Sequence, residues 1–349
     1  MLTSDLDELL TRTAEIHRAL DRTRVLITGG TGFFGRWLTE SWVDASDRLG
    51  LDRVAVVVTR DPERFRELAP HVAEHRSIEL VRGDVLDAVA PVGSAFDACV
   101  HAATPSGTTL TPGNSRAMFD TVVTGTANVF GWLAGSGSVP LLFTSSGAVY
   151  GTQPPRLERI SETYPGAPDP LDPGAAYAEA KRAAEMLCTL APAGGPRARI
   201  ARCFAFAGPH LPLDAHFAIG NFVGDALASR PIVVQGDGTP VRSYMYPTDL
   251  ITWLWTILLN GESRRAYNVG SPDGHHLGDV AAMVADVADV PVVVRGIPVP
   301  GRRAPRYVPD VSRAARELGL TIEVGLEESI LRHLTWARTA RPARTLAPA

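Results

Sequence analysis

Hydrophobic positions along the chain follow two alternating rhythms. Between 5 and 20, Leu6, Leu9, Leu10, Thr13, Ile16 and Leu20 recur at helical spacing, which predicts an amphipathic leader helix packed on the main body. Short apolar runs follow: "RVLIT", "VAVVV" (54–58), "IELVRGD" (78–84), "FDACVHAA" (96–103) and "VPLLFTSS" (139–146). Helical stretches over 36–49, 62–74 and 116–134 separate them, and a helix over 174–190 and the strand "ARIARCFAFAG" continue the pattern. Unbroken runs of Val, Ile and Leu suit strands covered by helices on both faces. They predict an α/β architecture, a doubly wound parallel sheet.

After Gly208 the texture turns Pro- and Gly-rich, with helices expected over 217–229, 249–259, 277–288 and 326–338. A smaller C-terminal α/β domain closing over the ends of the parallel strands would produce that change. The boundaries expected are a helical extension 1–23, a main domain 24–208, a C-terminal domain 209–338 with segments returning to the first, and a flexible tail 339–349.

Composition narrows the class. The 349 residues are 45% hydrophobic and 21% charged, as in an ordinary soluble protein. A net charge of −4 gives no basic footprint for nucleic acid. Cys99, Cys188 and Cys203 are widely spaced and odd in number, which argues against a disulfide framework or zinc site and for a reducing compartment. "MLTSDLDELL" is acidic where a signal peptide is basic, and "LITWLWTILL" (250–259) is too short to span a bilayer. A cytoplasmic protein with no membrane partner is expected.

The first strand runs into "TGGTGFFG", with Gly29, Gly32 and Gly35 opening a helix. A turn without side chains lets backbone amides reach a pyrophosphate, and the helix N-terminus adds a favourable dipole. That context makes the sheet Rossmann-type and the cofactor a nicotinamide dinucleotide. The second strand ends "VVVTRDPER", placing Arg60 where a 2′-phosphate would be paired and Asp61 one residue late for the ribose of NAD. Either NAD or NADP is admitted, with the arginine leaning toward NADP.

With "TGGTGFFG", "RGDV", "HAA", "FTSSGAVYG" and Tyr177-x-x-x-Lys181 in this order, the chain resembles the extended short-chain dehydrogenases/reductases, and within them the nucleotide-sugar epimerase/dehydratase branch, over roughly 24–335. "RCFAFAGP", "NFVGDAL", "VVQGDGTPVRSYMYPTDL" and "YNVGS" resemble that branch's substrate-domain signatures. The resemblance implies that Gly29, Gly32, Phe33, Phe34 and Gly35 line the pyrophosphate, Asp84 and Val85 meet the adenine, and Ala102 and Ala103 follow the cofactor backbone. It makes Tyr177, Lys181 and Ser146 catalytic, puts Ser145 beside the substrate, and gives Asn221 and Arg242 the diphosphate, assisted by Arg302, Arg303 or Arg306. A homodimer through the helices at 116–134 and 174–190 is implied as well.

Residues four apart on a helix lie roughly 5–6 Å apart on one face. An ammonium roughly 5 Å from a phenolate is worth about 3 kcal/mol at an effective dielectric near 20, enough to draw a phenol from about 10 toward about 8. Tyr177 would then serve as a general base on a sugar hydroxyl, with Ser146 a neutral donor to the reacting oxygen. Dehydratases of the branch carry an Asp-Glu pair after the catalytic hydroxyl residue, and its decarboxylases a Glu. Here Gly147 and Ala148 occupy those places, so a proton donor for elimination would come from Glu179, Cys203, His210 or His216. The economical expectation is 4-epimerisation through a 4-keto sugar, with dehydration or ketoreduction as alternatives. A catalytically silent cofactor-binding protein and a reductase of small non-nucleotide carbonyls are the other classes. No His, Cys or carboxylate cluster has metal-ligand spacing, so no metal is expected.

Overall fold

The computed structural model describes residues 2–87, 89–90, 93, 95–104, 114–213 and 217–340. The leader becomes α1 (Thr3–Ala19), followed by β1 (Arg24–Thr28), α2 (Phe33–Arg48), β2 (Val54–Thr59), α3 (Pro62–Leu68), α4 (Pro70–Ala73), β3 (Ile78–Arg82) and β4 (Ala98–His101). Next come α5 (Ser115–Trp132), β5 (Pro140–Ser146), α6 (Ala176–Thr189) and β6 (Arg197–Cys203). The C-terminal part holds α7 (Ala218–Leu227), β7 (Ile232–Val234), β8 (Val241–Arg242), α8 (Pro247–Asn260), β9 (Ala266–Val269) and β10 (His275–His276). It ends with α9 (Leu277–Ala288), β11 (Val292–Val294), β12 (Arg306–Tyr307), α10 (Ser312–Leu318) and α11 (Leu326–Ala340).

Seven strands form one sheet in the order β3-β2-β1-β4-β5-β6-β9, parallel throughout. The doubly wound sheet expected from the apolar runs is therefore present. Its middle strands bury every side chain of "VLIT" and "ACVH", which is why no apolar–polar alternation shows in them. One element differs from expectation. The helix foreseen at 62–74 is two, because Pro70 lacks the amide that would continue the first; Ala69 between them leaves the helical conformation, with φ −150° and ψ 60°. Residues 341–349, most of the expected tail, lie outside the described residues.

Two C-terminal segments return to the main layer. Helix α8 is buried along nearly its whole length against α1, α2 and the sheet, and β9 adds the last strand beside β6. Two small sheets, β10-β8-β12 and β11-β7, lie beyond. The β12 strand, parallel to β8 with Tyr307 opposite Arg242, carries the residues around 306 to the cleft.

The leader helix is anchored by charge. Arg12 reaches Asp249 at 2.7 Å, while Arg332 of α11 bridges Asp5 and Glu8, both at 2.9 Å. Asp249 also accepts the amides of Glu323 and Val324, so one carboxylate ties α1, α8 and the start of the last helical segment together. Helices α5 and α6, the pair expected at a dimer interface, pack side by side and leave Met186 and Leu190 exposed. No helix among the described residues is long and apolar enough to cross a membrane.

His17, His101 and His333 are buried and His210 is half-buried; His17, His101 and His210 are pushed down to about 3, and His333 to about 4, in each case chiefly by loss of water around the charged form. The unfolded chain binds protons near 6.5 and the folded one does not, so stability is full above that pH and falls as pH drops toward 4. Neither ring nitrogen of His333 has a partner among the described residues. Replacing His333→Leu removes that unpaired polarity, worth ~1–3 kcal/mol. Thermal unfolding should show a higher midpoint for the variant, with a larger gain at pH 5 than at pH 7.5; an equal or lower midpoint at both would contradict the account.

Candidate active site

The C-terminal edge of the sheet gathers the sequence's motifs. Gly29 turns the chain with φ +71°, and a Cβ on it would lie 2.6 Å from the backbone of Ala102, so the first and fourth strands close on each other only without a side chain there. Gly32 caps α2 without any side-chain bond to the helix amides, and Gly35 lies in its first turn. Space stands open beside Gly32, where an added Cβ would meet nothing nearer than 3.5 Å. An open glycine face over uncapped helix amides fits a pyrophosphate. Phe33 and Phe34 sit on that first turn, packed on Phe206 with ring centroids 6.3 and 5.0 Å away.

Thr28 holds this corner. Its hydroxyl meets His101 Nδ1 at 2.7 Å and accepts the amide of Ala103 at 3.3 Å, while His101 Nε2 meets Thr126 Oγ1 at 3.0 Å. Asp84 accepts the amide of Leu86 at 3.0 Å. Val85 points into the core under Gly125, so at most its backbone faces an adenine. Arg60 is exposed just past β2, and Asp61 beside it caps α3 by accepting the amide of Arg64 at 3.0 Å.

Tyr177 and Lys181 project from α6 toward Ser146 at the end of β5. The Lys181 ammonium is fully buried and donates to Thr104 Oγ1 and the Thr144 carbonyl, both at 2.7 Å. It lies 6.0 Å from the Tyr177 ring centroid, under the ring rather than at the hydroxyl. The expected lowering of the phenol does not occur in this state. Tyr177 is half-buried overall, but its hydroxyl sits in dense protein, and that desolvation pushes it up to about 12 while contact with Ser146 pulls the other way. Burial also pulls Lys181 down to about 8.

Ser145 corrects a second expectation. Successive strand residues face opposite sides, so Ser145 turns away from Ser146 and donates to the buried Glu185 at 2.5 Å. Glu185 is ion-paired with Arg202 at 2.6 Å, and Arg202 also donates to the Tyr150 hydroxyl at 2.9 Å. Ser145 belongs to this support under the site.

Tyr307 was not foreseen. Burial raises its phenol and that of Tyr177, and both hydroxyls lie near enough to Ser146 for the serine to offset part of that rise. These are near-approaches; the regular bond at Ser146 Oγ is the one accepted from the Ala148 amide at 3.1 Å. A Cβ on Gly147 would lie 2.7 Å from the Tyr307 hydroxyl. Arg306, one residue earlier, faces away and donates to the Glu158 carbonyl at 3.3 Å. No local pattern in the sequence gives the placement of Tyr307, which depends on β12 pairing with the distant β8.

A cavity of about 510 Å³ lies between α7 and β7, lined among others by Asn221, Phe222, Asp225, Arg230 and Gln235. It unites "NFVGDAL" with "VVQGDG", although Asn221 and Arg242 themselves sit on different elements. Burial raises the phenols of Tyr307 and Tyr244, and Arg242 lies close enough to both for its charge to offset part of that rise. Arg302 and Arg303 are exposed on the loop before β12. His210 is stacked between Trp37 and Trp336, with centroids 6.0 and 4.9 Å away, a packing role. His216 lies outside the described residues, and Cys203 is buried with its thiol pushed up to about 12.

The model of the NAD dependent epimerase/dehydratase family matches residues 25–270. UDP-glucuronic acid decarboxylase 1 of Arabidopsis thaliana is 30% identical over 312 residues, covering 89% of this chain and 69% of that protein. The solved DesIV dTDP-glucose 4,6-dehydratase of Streptomyces venezuelae, with NAD bound, superposes with a TM-score of 0.76 at 24% identity, covering 92% of this chain and 98% of that one. The UDP-glucose 4-epimerase of Thermotoga maritima, with UDP-glucose, gives 0.74 at 21% identity, covering 90% and 99%. The two structural likenesses agree with the sheet order found here, and the sequence matches go further: the chain belongs to the NAD dependent epimerase/dehydratase family of extended short-chain dehydrogenases/reductases.

Proposed function

We propose that the protein oxidises a nucleotide-diphosphate sugar at carbon 4 and returns the hydride to the opposite face, a 4-epimerisation through a 4-keto sugar. The observation that carries this reading is the chemistry around Ser146. Two phenols and a buried ammonium surround it, and Gly147 and Ala148 stand where an eliminating enzyme would place carboxylates. Such a set exchanges one proton with an alcohol oxygen and offers no ionised base for the neighbouring carbon.

The turn at Gly29–Gly35, the uncapped start of α2 and the Ala102–Ala103 backbone would hold the dinucleotide, which when bound accepts hydride from carbon 4 and gives it back. Tyr177 takes the O4 proton as the carbonyl forms and restores it on the way back. Ser146 donates to the same oxygen as its charge changes. Lys181, fixed by Thr104 and Thr144, supplies positive charge beneath the phenolate. The nucleoside would enter the cavity beside Asn221, with Arg242 on the diphosphate and Arg302 or Arg303 closing from the exposed loop. Because Asp61 is engaged as a helix cap, Arg60 is the charged side chain offered to the adenosine ribose, which favours NADP.

A second reading, decarboxylation of a nucleotide-linked uronic acid, is favoured by the Arabidopsis relative's name. Oxidation at carbon 4 leaves that carboxylate β to a ketone, and loss of CO2 then requires no further base.

Incubation with UDP-, dTDP-, GDP- and CDP-sugars, uronic acids included, should give carbon-4 epimers with no net change in cofactor absorbance. CO2 release from a uronic acid would select the second reading, and a 4-keto-6-deoxy product with solvent deuterium at carbon 5 would defeat both. Tyr177→Phe should lower kcat by roughly 10²–10⁴-fold with cofactor affinity retained; unchanged turnover would remove Tyr177 from the chemistry. In fluorescence titration, Arg60→Ala should weaken NADP by about tenfold, or ~1.4 kcal/mol, and leave NAD unchanged. Equal losses for both would show that Arg60 does not read the 2′-phosphate.

A further inference from the structure

The chain carries 34 lysines and arginines, and Lys181 is its only lysine. An ammonium has three N–H donors and no acceptor. Two of those on Lys181 are taken, by Thr104 Oγ1 and by the Thr144 carbonyl, each at 2.7 Å. Ring faces close around them, Phe143 with its centroid at 4.8 Å and Tyr177 at 6.0 Å. Glu185, whose charge is felt there, is already paired with Arg202 at 2.6 Å. The thiols of Cys188 and Cys203 and the imidazole of His101, the other titratable groups around it besides Tyr177, are neutral near neutral pH. A buried ammonium keeps its proton only through the groups it is hydrogen-bonded to. The Thr144 acceptor is backbone, so Thr104 supplies the one side-chain acceptor among the described residues. Its place is fixed from β1: the amides of Ala102 and Ala103, just before it, go to the Thr28 carbonyl and hydroxyl at 3.1 and 3.3 Å.

We infer that Thr104 is a positioning residue of the site: its hydroxyl oxygen accepts from Lys181 Nζ and so keeps the ammonium charged and held beneath the Tyr177 ring. The inference rests on the assignment of Lys181 to the chemistry and deepens it. Burial alone pulls Lys181 toward its neutral form, and the bond from Thr104 opposes that pull.

Thr104→Val keeps the shape of the side chain and presents a methyl group where the acceptor was. Protein grown on lysine labelled with carbon-13 at Cε gives a single lysine signal, so its NMR titration reads Lys181 alone, with neither substrate nor cofactor added. The wild-type midpoint is expected at about 8; Thr104→Val should lower it by about one unit, and Thr104→Ser should restore it. Charge on Lys181 is then lost at lower pH, so the descending limb of kcat against pH should move down by the same amount. Turnover above both midpoints should be about tenfold lower, with the gap closing toward pH 6 and KM for the sugar unchanged. Thr104→Ala should move the midpoint in the same direction, and it serves where the valine variant does not fold. An unmoved midpoint, or turnover lost by the same factor at every pH, would overturn the inference. A wild type inactive on every nucleotide sugar would instead defeat the functional reading, and the lysine titration would still decide the role of Thr104.

Discussion

Loss of water around an ionisable pair governs this site more strongly than the attraction within the pair. Tyr177 and Lys181 stand one helical turn apart, and each is moved toward its neutral form, the phenol upward and the ammonium downward. Coulomb attraction at that spacing amounts to a few kcal/mol in a partly screened setting. Against it, Lys181 spends its charge on Thr104 and the Thr144 carbonyl and lies beneath the ring instead of at the oxygen. The resting cleft thus holds a protonated phenol beside an ammonium that still carries most of its charge near neutral pH. A phenolate there needs hydrogen bonds aimed at its oxygen, which makes the orientation of the one hydroxyl beside it, Ser146, decisive.

The support behind that hydroxyl is charged and buried. Glu185, one turn after Lys181 on α6, binds Ser145 of β5 and Arg202 of β6. Arg202 continues to Tyr150, whose hydroxyl donates to Asn268 of β9 at 2.7 Å. Asn268 in turn donates to the carbonyls of Ile160 and Asp310, at 2.9 and 3.0 Å. One chain of polar contacts therefore links α6, three sheet strands and the segment leading out of β12. Breaking a buried pair within such a chain leaves an unmatched charge, with a loss of about 3–5 kcal/mol. It also fixes the angle at which α6 presents Tyr177, so stability and alignment come from the same residues.

Much of this was legible in the sequence, and the exceptions share one cause. Apolar runs such as "VAVVV" and "VPLLFTSS" encode burial on both faces and led directly to the sheet, and "TGGTGFFG" encoded a turn only glycine can make. Helical spacing put Tyr177 and Lys181 on one face, and the family resemblance added Ser146. The split at Pro70 and the orientation of Ser145 were within local rules too, since proline breaks the amide ladder and alternation turns neighbours to opposite faces. Tyr307 was not within them. Its place beside Ser146 depends on β12 pairing with β8, a register between segments far apart in the chain, and on a vacancy created by Gly147. The pKa directions were out of reach for a similar reason: spacing along a helix gives a distance, whereas desolvation depends on everything packed around it.

The exchange at Gly147 ties the support to the chemistry. A carboxylate next to Ser146 would be ionised at neutral pH, accept hydrogen bonds without donating any, and repel a neighbouring phenolate. It would serve abstraction of a proton from carbon, and it would make Tyr177 a weaker acid still. A phenol brought in by β12 has the opposite character. Burial keeps it protonated, and it adds no negative charge beside Tyr177. The Tyr307 hydroxyl and the Phe204 ring thus fill the glycine's space without placing a negative charge beside Tyr177.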